Sequence, residues 1–391
     1  MKLRLLVLLV LVVGCGQAAA TPSKTVAESV YLVGSNAVVG VDGSSGRQIA
    51  SLPMAVAGPG WKWFAATAGS QLLFYGPGGE QVAGLDLPGP YELPQTTFDG
   101  KPGGLSPDGG RLVLTRVQGG KSSFLLVNTR TRLIEHRADF DGRFEFDGID
   151  DSGTRLYLIH RFADQPTKYE VAKYSFATRE LQAPIVEKTG RLRVMEGDRV
   201  SAVTDPGGHW QYSLYRGGAE GAFIHALMLD ADYGAAWCVD LPGGGSLDQQ
   251  LAWSITMSPD GRQLYALNPV LNQALSYSVA DTSVGQPPAL HRQAGLSTGA
   301  PFGIGASVLS PDRSGLAVAL NGGILVLDPD TMGVRGRWAN SQVFRSLAAS
   351  PDGVSIYGLT ASGLVRIDPR SGRTDKPVRV RGTAILGVRA V

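Results

Sequence analysis

A four-residue turn, Ser-Pro-Asp-Gly, recurs along this chain and constrains its fold more than any other feature. Intact copies begin at Ser106, Ser258 and Ser350, and the copy at Ser310 differs only in ending with Arg313. Proline presets φ for the first corner of a type I turn, aspartate suits the second, and glycine accepts the left-handed conformation that closes a hairpin. Recurrence at intervals of about 40 to 54 residues predicts an array of small, similar β-sheets.

Degenerate copies extend the series over the chain. The turns at residues 66–69, 150–153 and 204–207 each precede a segment that alternates like a strand, and residues 30–33 resemble the strand after a missing first turn. The series therefore predicts eight units. Seven would remain if residues 190–250 were an insertion, although that stretch itself reads as four strands.

Each unit has room for four short antiparallel strands, which is typical of a β-propeller blade of about 40 to 50 residues. The chain starts with a second strand that lacks its first. Residues 383–389, near the C-terminus, resemble a first strand that lacks its second. We therefore predict an all-β, closed propeller of eight four-stranded antiparallel blades, in which the C-terminal strand completes the first blade and leaves no open edge.

The N-terminus predicts export and lipidation. Lys2 and Arg4 precede an apolar run at residues 5–13, which is too short for a membrane-spanning helix because such a helix needs about 20 residues. Residues 12–15 match a lipobox, so the chain resembles substrates of the bacterial lipoprotein pathway. That resemblance implies cleavage before Cys15, lipid on its sulfur and a stable anchor of two or three acyl chains. An ordinary secretory signal with a chance cysteine is the alternative.

These features predict three segments. Residues 1–14 are the lipoprotein signal peptide, residues 15–26 a lipidated tether, and residues 27–391 a single propeller domain. The predicted location is the bacterial cell envelope, with the protein anchored to the extracytoplasmic face of a membrane through Cys15.

The repeats resemble those of bacterial propeller families of the YVTN and WD40-like type, in which SPDG precedes a strand that reads like LYVA. The best matches are residues 258–267 and 350–359, and the resemblance covers almost the whole chain after the tether. Such families include extracellular binding proteins, surface-layer proteins and a lactonase. The resemblance therefore implies a propeller lipoprotein without implying one activity.

Charge argues against a nucleic-acid partner. Loss of residues 1–14 removes Lys2 and Arg4 from the 36 basic residues, which leaves 34 basic against 34 acidic residues. Nucleic-acid binding requires a basic surface, so this neutral balance excludes that class. With Cys15 lipidated, Cys238 has no cysteine to pair with, and its strand context beside Trp237 and Val239 predicts a small buried hydrophobe.

Motifs for chemistry are scarce. The five histidines form neither HExxH nor His-x-His, and the sequence contains neither GxSxG nor a GxxxxGK[ST] phosphate loop, so no cofactor is predicted. Asp139 and Asp141 belong to the densest acidic stretch, at a connection between blades, where oxygen ligands suit Ca²⁺. Acidic residues that solvate a loop explain the same pattern better. We therefore predict no metal site, with Asp139 and Asp141 as weak candidates.

Ligand binding is expected on the face that carries the connections between blades. Trp61 and Trp63 flank Lys62 near the start of an inner strand, so the alternation places both rings on one side, where they would stack on a sugar or peptide. Packing between blades explains such a pair better, so Trp61 and Trp63 are weak candidates for the ligand face. His160 and His225 lie within strand patterns and are predicted to be structural groups with satisfied hydrogen bonds.

Two functions remain open. The first is a non-catalytic binding or scaffold module for a protein, peptide or glycan, tethered in the cell envelope. The second is an envelope hydrolase or lactonase whose groups come from different blades, which no linear motif would expose. The anchor, the closed ring and the lack of a linear catalytic motif favour the first.

Overall fold

The computed structural model describes residues 27–98, 100–188, 191–217, 221–230, 235–279, 288–296 and 303–391. These residues form eight β-sheets arranged in a ring, so the predicted closed β-propeller of eight four-stranded antiparallel blades is confirmed. Within these ranges, one short helix, α1 (Leu247–Leu251), and one 3₁₀ turn (Pro59–Trp61) interrupt the strands. Among the described residues, no helix has the length and apolarity that crossing a membrane requires.

The first four blades contain the following strands in chain order. Blade 1 has β1 (Glu28–Val33), β2 (Ala37–Asp42) and β3 (Gln48–Pro53). Blade 2 has β4 (Ala55–Ala57), β5 (Phe64–Ala68), β6 (Gln71–Tyr75) and β7 (Gln81–Asp86). Blade 3 has β8 (Arg111–Gln118), β9 (Lys121–Asn128) and β10 (Leu133–Asp141), with Leu105 bridged to Leu112 at its inner edge. Blade 4 has β11 (Arg143–Ile149), β12 (Arg155–Arg161), β13 (Lys168–Ser175) and β14 (Glu180–Gln182).

The remaining strands follow the same order. Three short strands connect blades 4 and 5: β15 (Val186–Lys188), β16 (Arg191–Leu192) and β17 (Met195–Glu196). Blade 5 has β18 (Asp198–Thr204), β19 (Trp210–Arg216), β20 (Phe223–Met228) and β21 (Ala236–Asp240). Blade 6 has β22 (Ser254–Met257), β23 (Gln263–Asn268), β24 (Gln273–Ser278) and β25 (Ala289–Ala294). Blade 7 has β26 (Ser307–Leu309), β27 (Leu316–Leu320), β28 (Gly323–Leu327) and β29 (Val334–Trp338). Blade 8 has β30 (Phe344–Ala349), β31 (Ile356–Thr360) and β32 (Gly363–Ile367), and β33 (Ala384–Ala390) follows it.

The ring closes as the sequence predicts. The C-terminal strand β33 pairs antiparallel with β1, from Glu28 opposite Ala390 to Val33 opposite Ala384, and becomes the inner strand of blade 1. The stretch that raised the seven-blade alternative forms the four antiparallel strands β18 to β21 of blade 5. The count is therefore eight.

The Ser-Pro-Asp-Gly turns are held by their own side chains. In blade 6 the buried Ser258 hydroxyl donates to Asp260 Oδ1 (2.6 Å) and accepts from the Gln263 backbone N–H (2.9 Å). The Gly261 N–H donates to the Ser258 carbonyl (2.9 Å), and Gly261 has φ 69°, which favours glycine. The turns at Ser106, Ser310 and Ser350 repeat the serine–aspartate bond. We call the face of the ring that carries these first-to-second-strand turns the turn face.

The prediction for blade 2 is wrong in register. The turn between its first and second strands lies at residues 58–63, whereas residues 69–70 connect its second and third strands, β5 and β6. A Cβ on Gly109 in the neighbouring turn would lie 2.3 Å from Pro59 Cδ, which places Pro59 on the turn face. Both connections in blade 2 contain a glycine with positive φ, Gly60 (62°) and Gly69 (58°). The repeat pattern in the sequence matched the connection at Gly69, although the turn between the first and second strands contains Gly60.

The core lies between neighbouring sheets, and tyrosines on second strands join one blade to the next. The hydroxyl of Tyr31 donates to the Pro77 carbonyl (3.0 Å), and that of Tyr157 to the Leu229 carbonyl (3.0 Å). At the closing blade the Tyr357 hydroxyl donates to Glu28 Oε2 (2.5 Å). Burial raises the pKa of the Glu28 carboxyl despite this bond. Apolar clusters therefore fill the space between neighbouring blades, and these tyrosine hydrogen bonds add a polar contact from one blade to the next.

An additional hairpin connects blades 4 and 5. Strand β15 pairs in parallel with the outer strand of blade 5, β21, and β16 pairs with β15. The next strand, β17, pairs with β13 of blade 4. The chain therefore contacts both blades before it enters blade 5, and encloses a space between them on the face opposite the turns. We call that opposite face, which carries the connections between blades, the loop face.

Candidate functional site

A groove of about 530 Å³ opens on the loop face where blades 3, 4 and 5 meet at the channel. Its walls come from the ends of the second strands β8 and β12 and from the starts of the first strands β11 and β18. These strand ends all lie on the loop face. Phe144 and Phe146 on β11 form part of the floor. Val117 is 65% exposed and Phe98 is 43% exposed, so two large apolar side chains of the groove face solvent.

Phe98 reaches the groove from the segment between blades 2 and 3. Its backbone N–H donates to the Val200 carbonyl of β18 (3.0 Å), and the Arg216 guanidinium lies 4.7 Å from its ring centroid. Gln95 and Pro102 bridge the two sides of this segment. The segment therefore crosses from blade 3 to blade 5 and gives the groove a wall that is separate from the blades.

The carboxylates of the groove have cationic partners. Arg161 Nε donates to both oxygens of Glu145 (3.0 Å each), and Arg143 donates to Glu145 Oε1 (2.7 Å). Asp198 pairs with Arg216 at 3.1 Å. Glu145 accepts from guanidinium groups on both oxygens and Asp198 on Oδ2, and each ion pair favours the charged form of the carboxylate over the form that has taken a proton. The groove therefore has fixed charges of both signs and no group poised for proton transfer among these residues.

A buried ionic cluster lies beneath the groove. Arg199 Nη1 donates to Asp147 Oδ1 (2.9 Å) and Nη2 to the Phe146 carbonyl (2.8 Å), with exposed side-chain fractions of 8% for Arg199 and 0% for Asp147. His225 Nε2 lies 3.6 Å from Asp147 Oδ2, beyond hydrogen-bond distance. Within the described residues, neither ring nitrogen of His225 has a hydrogen-bond partner. The prediction that His225 is satisfied is therefore wrong.

His225 makes stability depend on pH. Burial lowers the pKa of His225 below 6.5, and the positive charge of Arg199 lowers it further. The negative charge of Asp147 raises this pKa, but by less than burial lowers it. Well above pH 6.5 the histidine is neutral in both the folded and the unfolded chain. As pH falls below that value the unfolded chain binds a proton that the folded chain does not, so stability is lost.

We expect urea unfolding to show a steeper loss of stability from about pH 7 to pH 5 for the native protein than for His225→Gln, by at most about 1.4 kcal/mol per pH unit. His209 contributes the opposite slope, because its bond to Asp230 raises its pKa, but it is common to both proteins and cancels. Equal slopes in the two proteins would show that His225 does not titrate differently on folding.

The two tryptophans lie on the other face from the one predicted. Trp61 and Trp63 belong to the turn-face connection of blade 2 and do not lie on a strand. Trp61 stacks on Tyr31 (centroids 5.5 Å apart), and Trp63 packs against Phe74 (5.9 Å), so the rings enter different clusters and do not share one side. Trp61 also lines a cavity of about 420 Å³ at the turn-face mouth of the channel. Both rings pack between blades, as the favoured explanation predicts, and a ligand role for them stays a prediction.

The acidic candidates lie on the outer strand β10, each beside a basic side chain. Asp139 accepts from Ser123 (2.5 Å) and pairs with Arg137 (2.8 Å), and Asp141 pairs with Lys121 (3.1 Å). In the part of the chain that the structure describes, no three His, Cys, Asp or Glu residues form a group suited to a metal ion.

The structure confirms the prediction for His160 and contradicts part of the prediction for Cys238. His160 Nδ1 lies 3.0 Å from Glu170 Oε1, and its ring stacks on Phe144, so its predicted structural role is confirmed. Cys238 is half-buried and lines a cavity of about 370 Å³, so the prediction of a buried hydrophobe is wrong in burial. The tether and Cys15 lie outside the described residues.

Comparison with known proteins supports the fold alone. No protein-family model and no curated protein matches this chain. The solved structure of apo AztD from Citrobacter koseri is similar with a TM-score of 0.58 at 12% identity, over 94% of this chain and 98% of that one. The dihydro-heme d1 dehydrogenase NirN is similar with a TM-score of 0.56 at 15% identity, over 93% of this chain and 75% of that one. The chain shares their β-propeller fold. At these identities the likeness carries no activity to this chain.

Proposed function

We propose that this chain is a non-catalytic binding module of the bacterial cell envelope, tethered through lipid on Cys15, which holds a segment of a peptide or protein partner in the loop-face groove. The observation that carries the proposal is the composition of the groove. Exposed apolar side chains flank it, while its carboxylates are paired with arginines.

The exposed apolar groups favour a peptide over a glycan. Val117 and Phe98 lie on the same groove, and large apolar side chains exposed together on a concave surface mark interaction sites. Aliphatic and phenyl groups provide anchor pockets for apolar side chains of a partner. The paired charges at the rim, Glu145 with Arg161 and Asp198 with Arg216, offer polar contacts without an unpaired charge to bury.

The same geometry argues against a hydrolase or lactonase. The side chains of His225 and Asp147, which lie beneath the groove, are fully buried. A substrate in the groove would contact Glu145, both of whose oxygens accept from Arg161, and Asp198, whose Oδ2 accepts from Arg216. Proton transfer would require these ion pairs to break first, which favours binding over catalysis.

Val117→Arg should distinguish a partner bound in the groove from a protein captured elsewhere on the surface. Full-length protein in detergent is used as bait for an envelope extract, and bound proteins are quantified by mass spectrometry. We expect a partner captured by the native protein to be depleted about tenfold or more by Val117→Arg, because a charge replaces an apolar contact. Val82→Arg, on the outer strand β7 at 52% exposure, is the matched control and should capture normally.

Two results would overturn the binding proposal. Capture that is equal for Val117→Arg and the native protein would place the partner elsewhere. Turnover of an ester or lactone panel that Glu145→Gln abolishes, with no captured partner, would instead establish an enzyme.

Cys15→Ser tests the anchor independently. The native protein should partition into the detergent phase with membranes, because two or three acyl chains hold it there, and the variant should move to the aqueous phase. Phase separation followed by immunoblotting measures the shift. Cys238→Ser is the matched control and should partition like the native protein, and a Cys15→Ser variant that also partitions like it would exclude lipidation at this residue.

A further inference from the structure

A second cavity on the loop face, separate from the groove, has a lining suited to a small ligand. It occupies about 370 Å³ between blade 5 and the hairpin that connects it to blade 4. This volume falls in the range of small-molecule sites, which begins at about 300 Å³. Its lining combines charged, apolar and thiol groups, among them Lys168, Arg193, Met195, Glu196, Phe223 and Cys238.

A cation and an anion lie side by side at this cavity. Lys168 on β13 and Glu196 on β17 are directly opposite each other in the antiparallel register, and both line the cavity. Directly opposite residues have Cβ atoms about 5 Å apart. Within the residues that the structure describes, Lys168 has no ion pair, and Glu196 accepts a bond from the Thr167 hydroxyl (3.4 Å). The two charges therefore face the cavity without neutralising each other.

The lining also contains Arg193, Asp240, which pairs with Lys188, and a group of apolar side chains. Met195 is 2% exposed and Phe223 is 7% exposed, and both belong to the cluster that packs blade 4 against blade 5. Cys238 is half-buried and packs against the same cluster. An apolar side chain that enters between these groups would replace water against apolar surface, which is favourable by about 25 cal/mol per Å² buried.

We propose that this cavity binds a free α-amino acid with an apolar side chain. The α-carboxylate accepts hydrogen bonds from Lys168, the α-ammonium donates to Glu196, and the side chain packs on Met195, Phe223 and Cys238. An α-amino acid matches the site because it carries a cation and an anion on one carbon, and Lys168 and Glu196 provide one charge of each sign from directly opposite positions. Charge-assisted hydrogen bonds of this kind are about twice as strong as neutral ones.

Cys238 gives the test a direct readout. In full-length Cys15→Ser protein, Cys238 is the one cysteine left of the two in the sequence. Its labelling by N-ethylmaleimide is followed by mass spectrometry with L-leucine, L-methionine or L-phenylalanine present. At about ten times the dissociation constant we expect one or more of them to slow labelling about tenfold, because the empty fraction falls to about a tenth. N-acetyl-L-leucine and L-leucinamide each lack one charge and should protect far less.

Variants distinguish recognition of the ligand from a general loss of structure. Lys168→Met and Glu196→Gln should each weaken protection about 10- to 100-fold, while their unliganded labelling rates stay near that of the parent. Glu180→Gln, on the exposed outer strand β14, is the matched control and should bind normally. Val117→Arg should also bind normally, so failure of the groove and failure of this cavity are distinguishable.

Three results would overturn the proposal. The first is no protection by any of the three amino acids at about 10 mM, a concentration at which even weak sites fill. The second is equal protection by the acetylated and amidated derivatives. The third is full protection in both Lys168→Met and Glu196→Gln.

Discussion

A chain that ends at Thr383 is expected to lose its cooperative unfolding transition. The deletion removes β33, and with it Ile385 and Val388, which are 2% and 5% exposed in the core. Losing one such side chain costs about 2 to 5 kcal/mol, and the backbone pairing with β1 is lost as well. The sum approaches the whole stability of a typical domain, about 5 to 15 kcal/mol. Circular dichroism during heating measures the outcome.

Two matched changes separate ring closure from simple shortening. A chain that ends at Arg389 loses the exposed Ala390 and Val391 with the end of the pairing to β1, including the Val391 N–H bond to the Ala27 carbonyl, and should unfold within a few degrees of the native protein, since an exposed strand end contributes about 1 kcal/mol. Ile385→Asp buries a charge in the closing blade and should cost several kcal/mol, whereas Leu290→Asp, at 54% exposure on β25, should cost less than about 0.5 kcal/mol. A Thr383-terminated chain that still unfolds cooperatively near the native midpoint would show that this blade does not hold the ring.

The fold could be predicted because its determinants are local. The serine, aspartate and glycine of each intact turn bond within five residues of one another, as at Ser258 and Gln263. The same logic explains the error in blade 2. Its true turn at residues 58–63 has neither that serine nor that aspartate, and Gly69 supplies the glycine that a turn requires at the next connection. The error moved Trp61 and Trp63 to the wrong face.

The buried cluster could not be predicted because it combines distant residues. Asp147 and Arg199 are 52 positions apart and lie on the inner strands of different blades, and His225 lies on the third strand of blade 5. In the sequence, each of the three is a single polar residue within a strand, and nothing next to it in the chain indicates its partners. Only the radial packing of blade 5 against blade 4 removes all three from water. The exposure of Cys238 has a similar origin, since the hairpin between these blades leaves a cavity at its strand.

Arg199→Met is expected to destabilise the protein by about 3 to 5 kcal/mol, because it leaves the Asp147 carboxylate buried without its cation. Arg143→Met is the matched control, since Arg143 pairs with Glu145 at 62% side-chain exposure and such surface pairs contribute about 1 kcal/mol or less. The free energy of unfolding in urea measures both.

A second change tests the cause of that loss. Asp147→Asn combined with Arg199→Met removes both charges, so the double variant should be more stable than Arg199→Met alone although it carries one more substitution. His225 provides an independent check. With Arg199 gone, the carboxylate of Asp147 lies 3.6 Å from a histidine that no longer faces a guanidinium, so protonation of His225 would neutralise the buried charge. Arg199→Met should therefore lose less stability than the native protein as pH falls from about 7 to 5. A loss no larger than that of Arg143→Met, or no recovery in the double variant, would show that the pair does not act as a buried ionic contact.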